Sequence, residues 1–229
     1  MKNDYNIDRI IDSFYSKGNT KFLNSKEYLQ VKNKIPKSLQ KTYYPYVDAN
    51  KIIIYKKDIP DIAICKITFN SPIRHPMILK ELFNLGFKED TFGDIIIEDN
   101  IAYIYIFSEI FTDIKYNFNL NKISIKEIEL IDKDYLSDYQ VKYEELELLV
   151  SSLRIDNVIS SITNDSRKSI LERFKNKEII LNYDVVNKYS INLSPNDVFS
   201  IRKYGKYKYN GIIKNTKKGG YIISVSKYK

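Results

Sequence analysis

Between residues 62 and 131 the hydrophobic period changes in a fixed order, and that order restricts the fold more than any other feature of the chain. IAICKITF (62–69) alternates as a strand. HPMILKELFNLGF (75–87) carries a helical stripe at Ile78, Leu79, Leu82 and Phe83, with Pro76 tolerated in the first turn and Gly86 at the end. DIIIE (94–98), a turn at Asp99-Asn100 and IAYIYIF (101–107) read as two strands. SEIFTDIKYNF (108–118) reads as a helix capped by Ser108, and residues 123–131 alternate again. The predicted order is βαββαβ.

That order is ferredoxin-like, shared by RNA-recognition modules and many unrelated proteins, so it carries no function alone. The Lys/Arg-Gly-aromatic run of RNA-recognition strands is missing, and the segment is acidic. Spacing or protein contact is therefore its expected role, rather than an RNA platform. Ahead of it, residues 4–15 and 25–34 read as helices and 51–57 as a strand, a small mixed domain. Charge divides the chain in three. Residues 1–66 hold 13 basic and 7 acidic side chains, residues 67–150 hold 8 and 16, and residues 151–229 hold 16 and 6. Two basic blocks around an acidic one point to a polyanionic partner. The expected domains are 1–61, 62–150 (including a strand-like link ending in EELELLV) and 151–229.

In the last block, SSLRIDNVISSIT gives a helix with Leu153, Val158, Ile159 and Ile162 inward and Arg154 in its first turn, off that face. A cation is unfavourable there because the helix start is already positive. Asp156, two residues on, is expected to accept from first-turn amides or a basic partner rather than share the face of Arg154. Ser166 caps a second helix, RKSILERFKNK, leaving Arg167, Lys168, Arg173, Lys175 and Lys177 outside. Two neighbouring helix starts form an anion-binding edge. Short strands follow at 178–182, 185–187 and 198–202. The tail KYGKYKYNGIIKNTKKGGYIISVSKYK interleaves tyrosines with lysines, a pattern suited to phosphate contact and base stacking. For any single tyrosine there, a half-buried place in a solvated hairpin is the better reading.

The run from R-x-D through S-R, strand, turn, strand and D-x-x-x-[IV]-R over residues 151–203 resembles the S4 RNA-binding domain. SSLRID, YGKYKY and TKKGG with terminal SKYK, together with RHPMILKELFNLGFKEDTFGDI, resemble the YlmH family. The N-terminal GNTKFLNSKEY and YVDANK are fainter likenesses. Departures include Pro76, Met77, Lys80 and Glu89 in the middle, Tyr183 in the turn and Gly220 after T-K-K-G.

The resemblance implies an α+β protein: a mixed N-terminal domain, the ferredoxin-like (RRM-like) middle, and a C-terminal S4 (αL-type) domain with a basic hairpin. It implies a non-catalytic factor binding rRNA and tRNA on the large ribosomal subunit during quality control of stalled ribosomes, alongside a partner such as RqcH. The expected RNA-binding residues are Arg154, Ser166, Arg167, Lys168, Arg173, Lys175, Lys177, Arg202, Lys203, Lys206, Lys208, Lys217 and Lys218. The alternatives are a cell-division-linked adaptor using the acidic middle, or an S4 protein of another RNA.

Enzyme readings fare poorly. R-L-D also marks pseudouridine synthases, but here R-I-D opens a helix and 73 residues follow Asp156, too few for that catalytic domain. No G-x-G-x-x-G loop occurs. His75 is the only histidine and Cys65 the only cysteine, which excludes a Ser-His-Asp triad, a multi-His metal site and an internal disulfide. Cys65 reads as a core residue. No cofactor or metal is expected. MKNDYNIDRI is too polar for a signal peptide, and no apolar run reaches a membrane span, so a cytoplasmic monomer is expected.

Overall fold

The computed structural model describes residues 2–217 and 219–229, with side chains from Asn6 onward. The chain is mixed α+β and forms two compact units, Met1–Gln140 and Val141–Lys229.

The N-terminal unit begins with α1 (Lys2–Lys17), β1 (Leu23–Asn24), α2 (Ser25–Lys34), β2 (Lys41–Tyr43) and β3 (Lys51–Tyr55), the strands pairing in the order β1-β3-β2. Asn24 starts α2 through a capping box with Glu27, which satisfies two backbone donors at once. Ile7 and Phe14 of α1, Tyr28 and Val31 of α2, and Ile52 and Ile54 of β3 share one core. There follow β4 (Ile62–Phe69), α3 (His75–Asn84), β5 (Phe92–Glu98), β6 (Ile101–Phe107), α4 (Phe111–Asn117) and β7 (Ile125–Asp132). The second sheet has the order β5-β6-β4-β7, every neighbour antiparallel. Cys65, Ile67 and Phe69 of β4 and Ala102, Ile104 and Ile106 of β6 pack against Ile78 and Leu82 of α3 and Ile114 of α4. Burial pushes the Cys65 thiol up to about 12, so it is an inert core group, as its place on a strand predicts.

Period two then dictates what lies on the sheet's other face: Tyr103, Tyr105 and Phe107, opposite Lys66, Ile64 and Ile62. This aromatic face is covered by the chain itself. Phe22 lies 5.0 Å from Phe107, Tyr46 6.1 Å from Tyr105, and Tyr135 stacks 6.0 Å from Tyr103. Tyr46 Oη donates to Asp94 at 2.6 Å, and the same carboxylate oxygen accepts from the Asn50 amide at 2.7 Å. Residues 1–61 therefore pack with the second sheet as one unit, whereas the sequence suggests a separate domain.

The C-terminal unit holds β8 (Tyr143–Val150), α5 (Ile155–Thr163), α6 (Arg167–Lys175), β9 (Ile179–Leu181), β10 (Asp184–Val185), β11 (Val198–Ile201), β12 (Gly205–Asn215) and β13 (Tyr221–Tyr228). The six strands run β10-β9-β11-β12-β13-β8, all antiparallel. β8 pairs with β13 along its whole length, from Tyr143↔Tyr228 to Val150↔Tyr221. The unit boundary consequently falls at Gln140/Val141 instead of 150/151, because the pairing partner of β8 is the end of the chain. Ile155, Val158 and Ile159 of α5 and Ile170 and Phe174 of α6 bury against Ile179, Phe199, Tyr207, Tyr209, Ile223 and Val225 on one face of this sheet. Asn182 and Tyr183 form the β9–β10 turn with φ of 48° and 68°, so the turn that favours glycine is held here by a tyrosine. Gly220 is required by proximity: a Cβ there would stand 2.8 Å from the Val150 carbonyl oxygen.

The covering of the tyrosine face gives a paired prediction. A Cβ on Gly93 would stand 2.8 Å from both Phe22 Cε1 and Tyr105 Cβ. Gly93→Ala should therefore lower the stability of the N-terminal unit by about 1–3 kcal/mol, the range for overpacking. The Tyr105 hydroxyl is buried without a hydrogen-bond partner among the described residues. Tyr105→Phe should leave stability unchanged or raise it. Thermal unfolding of the two variants checks both signs.

Candidate nucleic-acid interface

Formal charge is split unequally between the units. Residues 1–140 hold 20 basic and 20 acidic side chains, whereas residues 141–229 hold 17 and 9, so the entire net charge of +8 lies in the C-terminal unit. The acidic block seen in the sequence does not form a body of its own. Glu144, Glu145 and Glu147 lie on β8 in the C-terminal sheet, and the other carboxylates share a unit with the N-terminal lysines.

The starts of α5 and α6 flank a cavity of about 280 Å³ lined by Ser151, Ser152, Arg154, Asp156, Asn157 and Arg167, among others. The sequence thus predicts correctly that the two helix tips come together. It mistakes the state of Arg154. That residue is the N-cap of α5, in extended backbone at φ −63°, ψ 138°, and the helix begins at Ile155. The helical same-face rule does not govern a residue outside the helix. Its side chain folds back on Asp156 in a two-bond clasp, Nε to Oδ1 at 3.1 Å and Nη2 to Oδ2 at 2.6 Å. Asp156, itself buried, also accepts from the Asn157 amide at 3.0 Å. The guanidinium rests 5.5 Å from the Tyr189 ring centroid, and this bond to Asp156 raises its pKa above the usual arginine value. About a third of the side chain stays exposed at the cavity rim.

Arg173 is likewise not part of an open surface. Nε donates to Asp165 at 2.9 Å, Nη1 donates to Glu178 at 2.9 Å, and the guanidinium stacks 4.9 Å over the Tyr204 ring. It ties α6 to the segments before and after it.

On α6, just past it and in the β11–β12 turn, six of the expected cations remain exposed, with side chains that pair with nothing among the described residues: Arg167, Lys168, Lys175, Lys177, Arg202 and Lys203. Arg167 and Lys175 are eight residues apart on α6, roughly 12 Å at 1.5 Å per residue. Lys168 and Lys175 share a face, with Glu172 between them. The β11–β12 turn joins this edge because the Arg202 amide donates to the Glu178 carbonyl at 3.0 Å, beside Lys177. Ser166 caps α6 by accepting from the Ser169 amide at 3.3 Å, which holds the helix start open toward solvent.

The tail residues are arranged differently. Tyr207 and Tyr209 are buried in the core, Tyr221 packs beside it, and Tyr228 meets Tyr143 edge to face. None of the five tail tyrosines is exposed, so the proposed base stacking has no ready ring. Alternation then sends Lys206 and Lys208 to the sheet face away from α5 and α6. Lys206 Nζ lies 4.6 Å from the Tyr228 ring centroid. Lys217 is exposed at the β12–β13 tip, and Lys218 lies outside the described residues.

Comparison with known proteins places the chain. A family model described as "Putative RNA-binding domain in YlmH" matches residues 58–137. "Ribosome-associated protein quality control protein P2" of Bacillus subtilis (strain 168) is 26% identical over 160 residues. Over these segments the chain is similar to YlmH proteins. That alignment covers 69% of this chain and 61% of the relative. A solved structure, "Cell division protein ylmH from Streptococcus pneumoniae", aligns at 15% identity with a TM-score of 0.45, covering 55% of this chain and 87% of that one. The family-model match spans the β5-β6-β4-β7 sheet with α3 and α4, the segment the sequence assigns to spacing or protein contact. No described helix is long and apolar enough to cross a membrane.

Structure and binding roles separate at the two cavity arginines. Asp156→Ala removes three accepted hydrogen bonds, two of them from a cation, and should cost the C-terminal unit about 2–3 kcal/mol. Arg167→Ala removes no hydrogen bond or ion pair among the described residues and should change stability by less than about 0.5 kcal/mol. Denaturant unfolding monitored by amide exchange of α5 checks the contrast.

Proposed function

We propose that this protein binds structured RNA, performs no chemistry on it, and presents the open edge of its C-terminal unit to the phosphate backbone. One observation carries the reading: the whole net charge of +8 falls in residues 141–229, where six exposed arginines and lysines along α6 and the β11–β12 turn have no partner among the described residues. Uncompensated cations beside a helix start make an anion-binding edge, and phosphate contacts supply most of the affinity of such surfaces.

Within this reading the C-terminal unit is an S4 (αL-type) module with β12–β13 as its basic extension, and the four-stranded sheet with α3 and α4 is ferredoxin-like. The strand order and the two helices against one sheet face support the second assignment. The RNA is rRNA and tRNA on the large ribosomal subunit, in quality control of stalled ribosomes, with an RqcH-type partner; the name of the Bacillus subtilis relative supports the ribosomal setting. The protein acts as a cytoplasmic monomer. The second reading, an adaptor working through an acidic middle, has less support, because the unit that holds that segment, residues 1–140, is formally neutral as a whole.

Arg167, Lys168, Lys175 and Lys177, neutralised together to glutamine, should weaken binding to purified large subunits. Their loss should also flatten the dependence of log K on log salt, by about 0.7–0.9 per lost phosphate contact. Sedimentation at several salt concentrations measures both. An unchanged slope overturns the assignment.

A further inference from the structure

The N-terminal unit contains a larger cleft, about 490 Å³, between α1 and the segment leading into β5. Asn6, Arg9, Ser13 and Lys17 line it at spacings of three and four residues, hence from one face of α1, and Lys21 and Lys88 complete the rim. Three carboxylates also reach the cleft, and each is already committed. Glu27 accepts from the Asn24 amide at 3.1 Å and from Asn6 Nδ2 at 3.1 Å. Glu89 takes Lys51 Nζ at 3.4 Å, and Asp90 takes Lys21 Nζ at 3.3 Å. Arg9, Lys17 and Lys88 are exposed, and their side chains pair with nothing among the described residues. Lys17 gains something from the negative end of α1; Arg9 and Lys88 have no such compensation.

We propose that this cleft seats an RNA phosphate backbone, with Arg9, Lys17 and Lys88 as its contacts. The inference rests on the RNA-binding reading and adds a second, separate contact to it. Two further observations favour RNA over a protein partner. The family model that carries an RNA-binding description spans residues 58–137 and so includes Lys88. The tyrosine face that an RNA-recognition sheet would offer is occupied by Phe22, Tyr46 and Tyr135, so an RNA contact in this unit must lie elsewhere. The unit is formally neutral overall, so three unpaired cations around one concavity are a local feature, not overflow from a basic surface.

The test uses the full chain and a folded large-subunit rRNA transcript. Arg9→Gln, Lys17→Gln and Lys88→Gln combined should reduce the salt slope by about 2.1–2.7, at 0.7–0.9 per contact, with the melting temperature unchanged. The charge-keeping variant Arg9→Lys, Lys17→Arg and Lys88→Arg should retain the slope. An unchanged slope in the glutamine variant overturns the cleft, while the α6 variant still reports on the C-terminal edge. Unchanged slopes in both overturn the RNA reading and this inference with it. Loss of binding to an acidic protein with the RNA slope intact also overturns it.

Discussion

Which cations can meet a partner is decided by which carboxylates the fold has already assigned. In the C-terminal unit Asp156 holds Arg154, and Asp165 and Glu178 together hold Arg173. Asp197 accepts from the Ser194 amide and from Asn182, closing a turn, while Glu145 accepts from Ser226 and Asn210. Each assignment serves the packing of two helices on six strands. What is left over, on α6 and the β11–β12 turn, is positive on balance, with Glu172 among the six cations, because Asp156, Asp165 and Glu178 work elsewhere. The interface is therefore a residue of the folding problem, and the two clasped arginines fix the helix starts between which an anion would sit.

The N-terminal unit shows the same logic in apolar form. Alternation along β6 puts Ala102, Ile104 and Ile106 under the helices and obliges Tyr103, Tyr105 and Phe107 to face the other way. Three large rings left in water would forgo several kcal/mol of burial, on the order of 1.5–3 each. The chain covers them with Phe22, Tyr46 and Tyr135, and Gly93 lets that cover approach. A face that is open for stacking on bases in other sheets of this order is here part of the core, and any nucleic-acid contact moves to the unit's outer rim.

Local signals were legible and distant pairings were not. The helical stripes of α3, α5 and α6, the alternation of β4, and the cap at Ser166 all follow from residues within one or two turns of each other. β1 and β2, of two and three residues, exist only because β3 stands between them. β8 read as a link because its partner, β13, lies some seventy residues later. Arg154 was misread for a subtler reason: its rotamer depends on whether position 154 is helical, and a boundary error of two or three residues exchanged an outward cation for a clasped one. Arg9 and Lys88 share a cleft across nearly eighty positions, beyond the reach of any periodicity.

The sheet in the C-terminal unit also divides the expected binding residues in a way that a list of lysines cannot show. Side chains at successive positions of β12 point to opposite faces, so burying Tyr207 and Tyr209 against α5 and α6 forces Lys206 and Lys208 to the far side. Lys175, Lys177, Arg202 and Lys203 gather where α6 ends and β11 turns into β12. A single straight duplex cannot touch both groups, since a helix layer and a sheet, roughly 10 Å apart, stand between them. The α6 edge has the unpaired charge and the helix start, whereas Lys206 lies over the ring of Tyr228 and is partly spoken for. Under the RNA-binding reading proposed above, the edge is the primary contact, and the far face would engage only an RNA that bends around the end of the sheet.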